Sequence, residues 1–248
     1  MQHFSLYTYY SKAKAVIYDT IILKMTEKWY RTVLEKLDDG SIILDVGIGT
    51  GGALLRCIDL IESKDLKIIG IDIDDAYVQA GKKSIEEAGL SDRISIDNVN
   101  VYDGKEKILE LATKNKLGGS DTTVNSDGQF LDAVYFSGSF SLLPDPVKAL
   151  QLVSTFVKKE EEGGTNDTNE KKGGGIYITQ TYQRRTPFFM PYVKPILKYI
   201  TTIDFGQLVS EEDIMQTFKE SGLKVVKHEV IEGSIDNVFQ AAWLSILR

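Results

Sequence analysis

Asp45, Gly47, Gly49, Gly51 and Asp72 are the residues whose types and spacing could carry chemistry. The apolar run Ile42-Ile43-Leu44 leads into Asp45 and Val46, and glycines then follow at alternate positions. A short apolar run bounded by turn residues reads as a buried strand. Beyond the glycines, Ala53 to Ile58 reads as a helix. Strand, glycine loop and helix make the opening unit of a nucleotide-binding α/β sheet. Such a loop turns sharply and brings its backbone close to a ligand, where a Cβ would obstruct. Two ligand classes use it, and the glycines alone do not separate them. Gly47, Gly49 and Gly52 satisfy G-x-G-x-x-G, the dinucleotide fingerprint. A pyrophosphate is anionic, however, and a carboxylate at Asp45 would repel it. A ligand carrying an ammonium and a sulfonium would be attracted. Asp45 therefore favours the cationic ligand.

Asp72 closes a second apolar run, Lys67 to Ile71, about 20 residues past the glycine loop. A carboxylate at that distance takes ribose hydroxyls. Asp74 or Asp75 is better placed to cap the following helix, Ala76 to Ala88, which Gly89 closes. Asp72 is thus left for the ribose.

The remaining elements must position these acids. Before the first strand, residues 1–40 open with an aromatic stretch. Ala13 to Leu37 then shows helical spacing of Val16, Ile17, Ile21, Trp29, Val33 and Leu37. This segment reads as a helical lid whose Tyr10 and Tyr18 reach the substrate. A third strand is expected at Val99–Asp103, after Arg93–Ile96, with a helix over Lys105–Lys114 and a small-residue loop over Leu117–Gln129. Phe130–Phe136 reads as a fourth strand, with Ser137-Gly138-Ser139 at its carboxyl end. Asp145 is an N-cap with Pro146 at the first helical position. Residues 158–175 lack large apolar groups and read as a flexible surface loop. Ile176–Tyr182 is a fifth strand. Residues 183–209, rich in aromatics and prolines and opening with Arg184 and Arg185, read as an inserted cap. Ser210 and Asp213 frame a capping box. Leu223–Ile231 and Val238–Leu247 are strands joined by a short turn, which forces antiparallel pairing. The chain is accordingly α/β, a single domain over 1–248. Its sheet is doubly wound, mostly parallel and seven-stranded, with one antiparallel strand in a C-terminal hairpin.

Composition narrows the classes further. A formal net charge of -7 argues against a broad nucleic-acid surface. The one cysteine, Cys57, excludes an intramolecular disulfide and a cysteine metal cluster, and reads as a core residue. No acidic cluster suggests a metal. With no leader-like segment and no span-length apolar run, a cytoplasmic protein without a membrane partner is expected.

Three stretches carry a family resemblance. They are Leu44-Asp45-Val46-Gly47-Ile48-Gly49-Thr50-Gly51, Gly70-Ile71-Asp72-Ile73, and Asp132-Ala133-Val134 through Leu143-Pro144-Asp145-Pro146. Over residues 40–248 the chain resembles a class I S-adenosylmethionine (SAM)-dependent methyltransferase, a Rossmann-like fold. The resemblance implies SAM as cofactor. It implies that Asp45 and the backbone of Gly47, Gly49 and Gly51 hold the methionine amino end. Asp72 would take both ribose hydroxyls and Ile73 would pack on the adenine. Asn100, with Val101 beside it, or Asp103 would meet the adenine amino group. Ser137 would stand where the transfer site opens. The family's Asn/Asp-Pro-Pro-Tyr mark of amino methylation on bases and amides is replaced by Ser137-Gly138-Ser139-Phe140. The two histidines are His3 and His228, and His228 falls in a late strand, where it reads as structural. Methyl transfer to an O, N or S atom of a small molecule by direct displacement is the expected reaction. Tyr10, Tyr18, Ser139, Tyr182 and Arg184 are the candidate acceptor contacts. An aminopropyltransferase-like enzyme, an NAD-linked oxidoreductase and a non-catalytic SAM-binding partner protein are the alternatives. Neither the acceptor atom nor the oligomeric state is encoded in these motifs.

Overall fold

A computed structural model describes residues 22–103, 105–114, 129–159, 174–184 and 209–248. Tyr10 and Tyr18, His3, Arg185, the interior of the 158–175 loop and nearly all of the 183–209 insertion lie outside the described residues.

The strands are β1 (Ile42–Val46), β2 (Lys67–Asp72), β3 (Ile94–Asn98), β4 (Ala133–Ser137), β5 (Gly175–Gln183), β6 (Val225–Val230) and β7 (Gln240–Leu247). They form one sheet in the order β3-β2-β1-β4-β5-β7-β6. Pairing is parallel from β3 through β5, and β7 is antiparallel to both β5 and β6. The sheet therefore contains one reversed strand, as expected, and the chain's last strand inserts between β5 and β6.

Side chains alternate between faces with period two, so each face builds its own layer. Leu44, Ile69, Val134 and Ile178 enter one apolar layer. Ile43, Ile68, Tyr135 and Tyr177 enter the other. Burial on both faces explains why the parallel strands read as near-continuous apolar runs.

Helix α1 (Leu23–Leu34) precedes β1, and helices α2 (Ile58–Ser63), α3 (Asp75–Glu87), α4 (Lys105–Lys114), α5 (Pro146–Ser154) and α6 (Glu211–Ser221) lie between successive strands. Their starts follow the side-chain caps. Asp74 accepts from the Ala76 and Tyr77 amides, and Asp145 accepts from the Lys148 amide behind Pro146. Ser210 and Asp213 form a reciprocal capping box, and Gly222 ends α6 in the left-handed region.

Three expected boundaries are corrected. The third strand is Ile94–Asn98, not Val99–Asp103, because Asn100 accepts from the Tyr102 amide and folds Val101–Asp103 into a 3-10 turn. The helix after the glycine loop begins as a 3-10 turn, Leu54–Cys57, and becomes α2 at Ile58. Finally, β4 begins at Ala133, since Phe130 and Leu131 hydrogen-bond to Phe156 instead of to a neighbouring sheet strand. The two ends of the 158–175 loop are held together, with the Gly174 amide donating to the Lys158 carbonyl at 3.0 Å.

Candidate functional site

The carboxyl ends of β1, β2 and β4 lie side by side, which brings Asp45, Asp72 and Ser137 to one edge of the sheet. Between β1 and α2 runs the glycine loop. Gly47, Gly49 and Gly51 all have positive φ, at 75°, 63° and 68°. The loop is tied to β2. Gly47 donates to the Ile71 carbonyl at 2.8 Å, and Gly49 donates to Asp72 Oδ2 at 2.8 Å. It is also tied to the β4 end, where the Ser139 hydroxyl donates to the Val46 carbonyl. A Cβ on Gly47 would lie 2.5 Å from Ser139 Cβ, so the two segments touch.

Asp45 is 1% exposed. Its Oδ2 accepts from the Tyr30 hydroxyl at 2.7 Å. Its Oδ1 is buried with no hydrogen-bond partner among the described residues. Such an orphaned acceptor is costly unless a ligand donates to it. Burial raises the Asp45 pKa to about 7; the Tyr30 hydrogen bond works against that rise and the nearby Asp72 charge adds to it. Burial and Asp45 push the Tyr30 phenol well above its ordinary value, so it stays protonated and donates. The Tyr30 ring meets Tyr135 edge-on at 5.0 Å, and the Tyr135 hydroxyl bonds Thr179 Oγ1 at 2.8 Å.

A stability prediction follows from the sign of the Asp45 shift. The folded state binds the proton more tightly than the unfolded chain, so the stabilisation is complete below the unfolded value of 3.8 and fades as pH rises to about 7. Over that window the cofactor-free protein should lose about 1.4 kcal/mol per pH unit from this group. Asp45→Asn should flatten this part of the urea-unfolding stability profile. An unchanged slope between Asp45→Asn and the parent would show that Asp45 does not titrate there.

Asp72 uses both oxygens on backbone amides, Oδ2 on Gly49 and Oδ1 on Asp74 at 2.9 Å. Each oxygen keeps a further lone pair for a donor such as a ribose hydroxyl. Ile73 beside it is 74% exposed, an apolar side chain facing out at the strand end. Asn100 and Asp103 sit in the turn after β3. The Asn100 carbonyl oxygen is taken up by the Tyr102 amide at 3.0 Å, while Asp103 lies 3.7 Å from Lys107. Val101 between them is buried.

Two acceptor candidates, Ser139 and Arg184, have hydrogen-bond partners of their own. Ser139 commits its only proton to Val46, which leaves its lone pairs alone for a substrate. Tyr182 is fully buried, stacked over His228 at 6.1 Å in the layer of Ile214 and Phe218. The Arg184 guanidinium is held by Asp236 at 2.5 Å and the Asn237 carbonyl at 3.2 Å. His228 bonds Ser245 at 2.9 Å and stacks on Trp243 at 4.4 Å, consistent with a structural role. Cys57 is buried, and that burial pushes its thiol up to about 12, so it behaves as a core residue. No group of three or more metal-ligating side chains is found among the described residues, and none of their helices is long and apolar enough to cross a membrane.

The site also contains residues that the motif reading passes over, Trp29 and Tyr30 of α1. Trp29 Nε1 donates to Ser234 Oγ at 2.9 Å, and a Cβ on Gly138 would lie 3.3 Å from the Trp29 ring. The signal was local: Tyr30, Val33, Leu34 and Leu37 fall at i, i+3, i+4 and i+7, which puts the tyrosine on the buried face.

The fold is a doubly wound sheet with a glycine loop after its first strand, a buried acid at the end of that strand and a second acid at the end of the next. A family model described as Methyltransferase domain matches residues 37–222, and the chain belongs to that family. It is a class I methyltransferase, an enzyme with SAM as cofactor. Solved structures share the fold at low identity. A SAM-dependent methyltransferase from Aquifex aeolicus is 12% identical, with 97% of this chain and 98% of that one covered and a TM-score of 0.55. A geranyl diphosphate C-methyltransferase from Streptomyces coelicolor, solved with Mg2+, geranyl diphosphate and S-adenosyl-L-homocysteine, is 10% identical over 89% and 77%, with a TM-score of 0.56. The [4+2]-cyclase SpnF is 16% identical over 90% and 80%, with a TM-score of 0.59. The fold thus also serves other chemistry, and substrate must be argued from the site. No curated protein matches the chain.

Proposed function

We propose that this enzyme methylates an O, N or S atom of a small molecule held in an enclosed site. The observation that carries the reading is the position of α1. Its Tyr30 bonds Asp45, its Trp29 rests on Gly138, and its Leu23 lies 3.8 Å from the place of a Cβ on Gly52. Helix α1 therefore reaches the carboxyl ends of β1 and β4, where a large acceptor would have to enter. A neighbour of the same fold whose structure holds geranyl diphosphate supports a small acceptor. The net charge of -7 disfavours a phosphate backbone, whose binding depends on clustered Lys and Arg.

In this reading SAM, when bound, supplies an electrophilic methyl on sulfonium. Asp45 and the amides of Gly47, Gly49 and Gly51 hold its methionine ammonium end. Asp72 accepts from the ribose hydroxyls, Ile73 covers the adenine, and Asn100 or Asp103 with Val101 borders its amino edge. Ser137 marks the opening toward the acceptor, with Ser139, Tyr10 and Tyr18 as acceptor contacts. The residues act by orienting the nucleophile and excluding water, which is most of what a direct displacement needs. The chain works as one cytoplasmic domain, with residues 1–40 as lid, 183–209 as cap and 158–175 as a surface loop. An aminopropyltransferase-like activity is not favoured, because Ser137-Gly138-Ser139 stands where paired acids for a polyamine would be needed.

The test is deletion of residues 1–18. Methyl transfer to acceptors found by metabolite mass spectrometry should be lost, while SAM affinity measured by calorimetry should fall by less than about tenfold, or 1.4 kcal/mol. Full turnover after truncation, or robust methylation of bulk RNA or intact protein, would reject the enclosed site.

A further inference from the structure

We infer that Tyr30 is a positioning residue for the cofactor, its hydroxyl holding the Asp45 carboxylate in place for the ammonium. The inference rests on the assignment of Asp45 to that ammonium and adds α1 to the cofactor site.

The geometry is specific. Tyr30 is 3% exposed and its ring is fixed edge-on against Tyr135. Its hydroxyl takes one Asp45 oxygen at 2.7 Å, which sets the carboxylate rotamer and leaves the other oxygen as the orphan. Among the described residues, the titratable groups facing Asp45 are Tyr30 from α1, Tyr135 from β4 and the Asp72 carboxylate from the end of β2. The two phenols are neutral and Asp72 is an acid, so none of the three supplies a counter-charge. Among the described residues no lysine, arginine or histidine forms an ion pair with Asp45. The inference assigns the positive partner to the ligand, and among the described residues the Tyr30 hydroxyl is the hydrogen bond that keeps this carboxylate available to it. Without that bond the carboxylate would have two buried orphan oxygens and would hold a proton more tightly.

This makes cofactor affinity depend on pH in a way that separates positioning from packing. Wild-type affinity for S-adenosylhomocysteine, which carries the same amino acid end, should fall about tenfold per pH unit below the Asp45 midpoint at about 7. The alkaline limb belongs to the ligand's own α-amino group. In Tyr30→Phe the acid limb should move up by about one pH unit or more, with affinity near pH 6.5 reduced about 10–100-fold. In Asp45→Asn the acid limb should vanish. Adding Tyr30→Phe to Asp45→Asn should then change affinity less than about threefold, as a double-mutant cycle requires of coupled groups.

The experiment is titration calorimetry of the full-length chain with S-adenosylhomocysteine between about pH 5.5 and 8, for the wild type and these three variants. The shifted limb in Tyr30→Phe, together with non-additivity in the double variant, is the expected result. An acid limb unmoved in Tyr30→Phe, or an affinity loss equal at every pH as loosened packing of α1 would give, overturns the role of Tyr30 and leaves the Asp45 assignment standing. A wild type with no acid limb, or one that persists in Asp45→Asn, overturns that assignment and the inference with it.

Discussion

Gly47→Ala should weaken SAM binding at least 100-fold and lower the melting temperature by roughly 5–15 °C. Two costs combine at this position. A non-glycine residue at φ 75° costs about 1–3 kcal/mol in backbone strain. The new methyl would also stand 2.5 Å from Ser139 Cβ and 3.0 Å from its hydroxyl oxygen. Relieving that clash costs about another 1–3 kcal/mol and pushes Ser139 away from the Val46 carbonyl it holds. The sum, spread over a chain of this size, gives the stated shift. Gly40→Ala separates the two costs, because Gly40 also has φ 75° but a Cβ there meets nothing within 4 Å. It should lower the melting temperature by only about half as much and leave cofactor affinity unchanged. A Gly47→Ala protein that melts like Gly40→Ala and binds SAM normally would show that the glycine loop and the β4 end do not meet as described.

The contrast explains which parts of the site were legible in the sequence. Asp45, Gly47, Gly49 and Asp72 lie in two short stretches whose spacing is set by local geometry, so their types and intervals were enough to read two strand ends with a glycine turn between them. The third strand was misplaced because Ile94-Ser95-Ile96 and Val99-Asn100-Val101 both alternate. What separates them is a side-chain bond, Asn100 to the Tyr102 amide, that no hydropathy pattern records. The hairpin was legible from its short turn, but the insertion of β7 between β5 and β6 was not, since strand order depends on contacts far apart in the chain. Tyr30 could be assigned to a buried face, yet its partner Asp45 belongs to another element. Polar pairs across elements leave no periodic trace. Ser139 shows the converse, because its place after the fourth strand suggested an acceptor contact, while its proton braces the root of the glycine loop.

Asp72→Ala should produce a comparable loss of cofactor affinity by a different route. The carboxylate does two jobs. It accepts from Gly49 at 2.8 Å and from Asp74 at 2.9 Å, joining the glycine loop to the end of β2. Its remaining lone pairs are the proposed acceptors for the ribose. Hydrogen bonds to a charged group contribute about 1.5–3 kcal/mol each, so losing two ribose contacts alone predicts on the order of 100-fold or more. Releasing the Gly49 amide adds to this by loosening the loop. Asp72→Asn should fall between, because its single amide oxygen can keep one backbone bond but not both. The neighbouring Asp74→Ala is the control. Asp74 caps α3 through the Ala76 and Tyr77 amides, so its loss should cost about 1 kcal/mol of stability with cofactor affinity within about threefold of the parent. Calorimetry with SAM, paired with urea unfolding, reads both quantities. Asp74→Ala weakening SAM as much as Asp72→Ala would assign the effect to the end of β2 as a whole. Asp72→Ala binding SAM like the parent would remove Asp72 from the cofactor site.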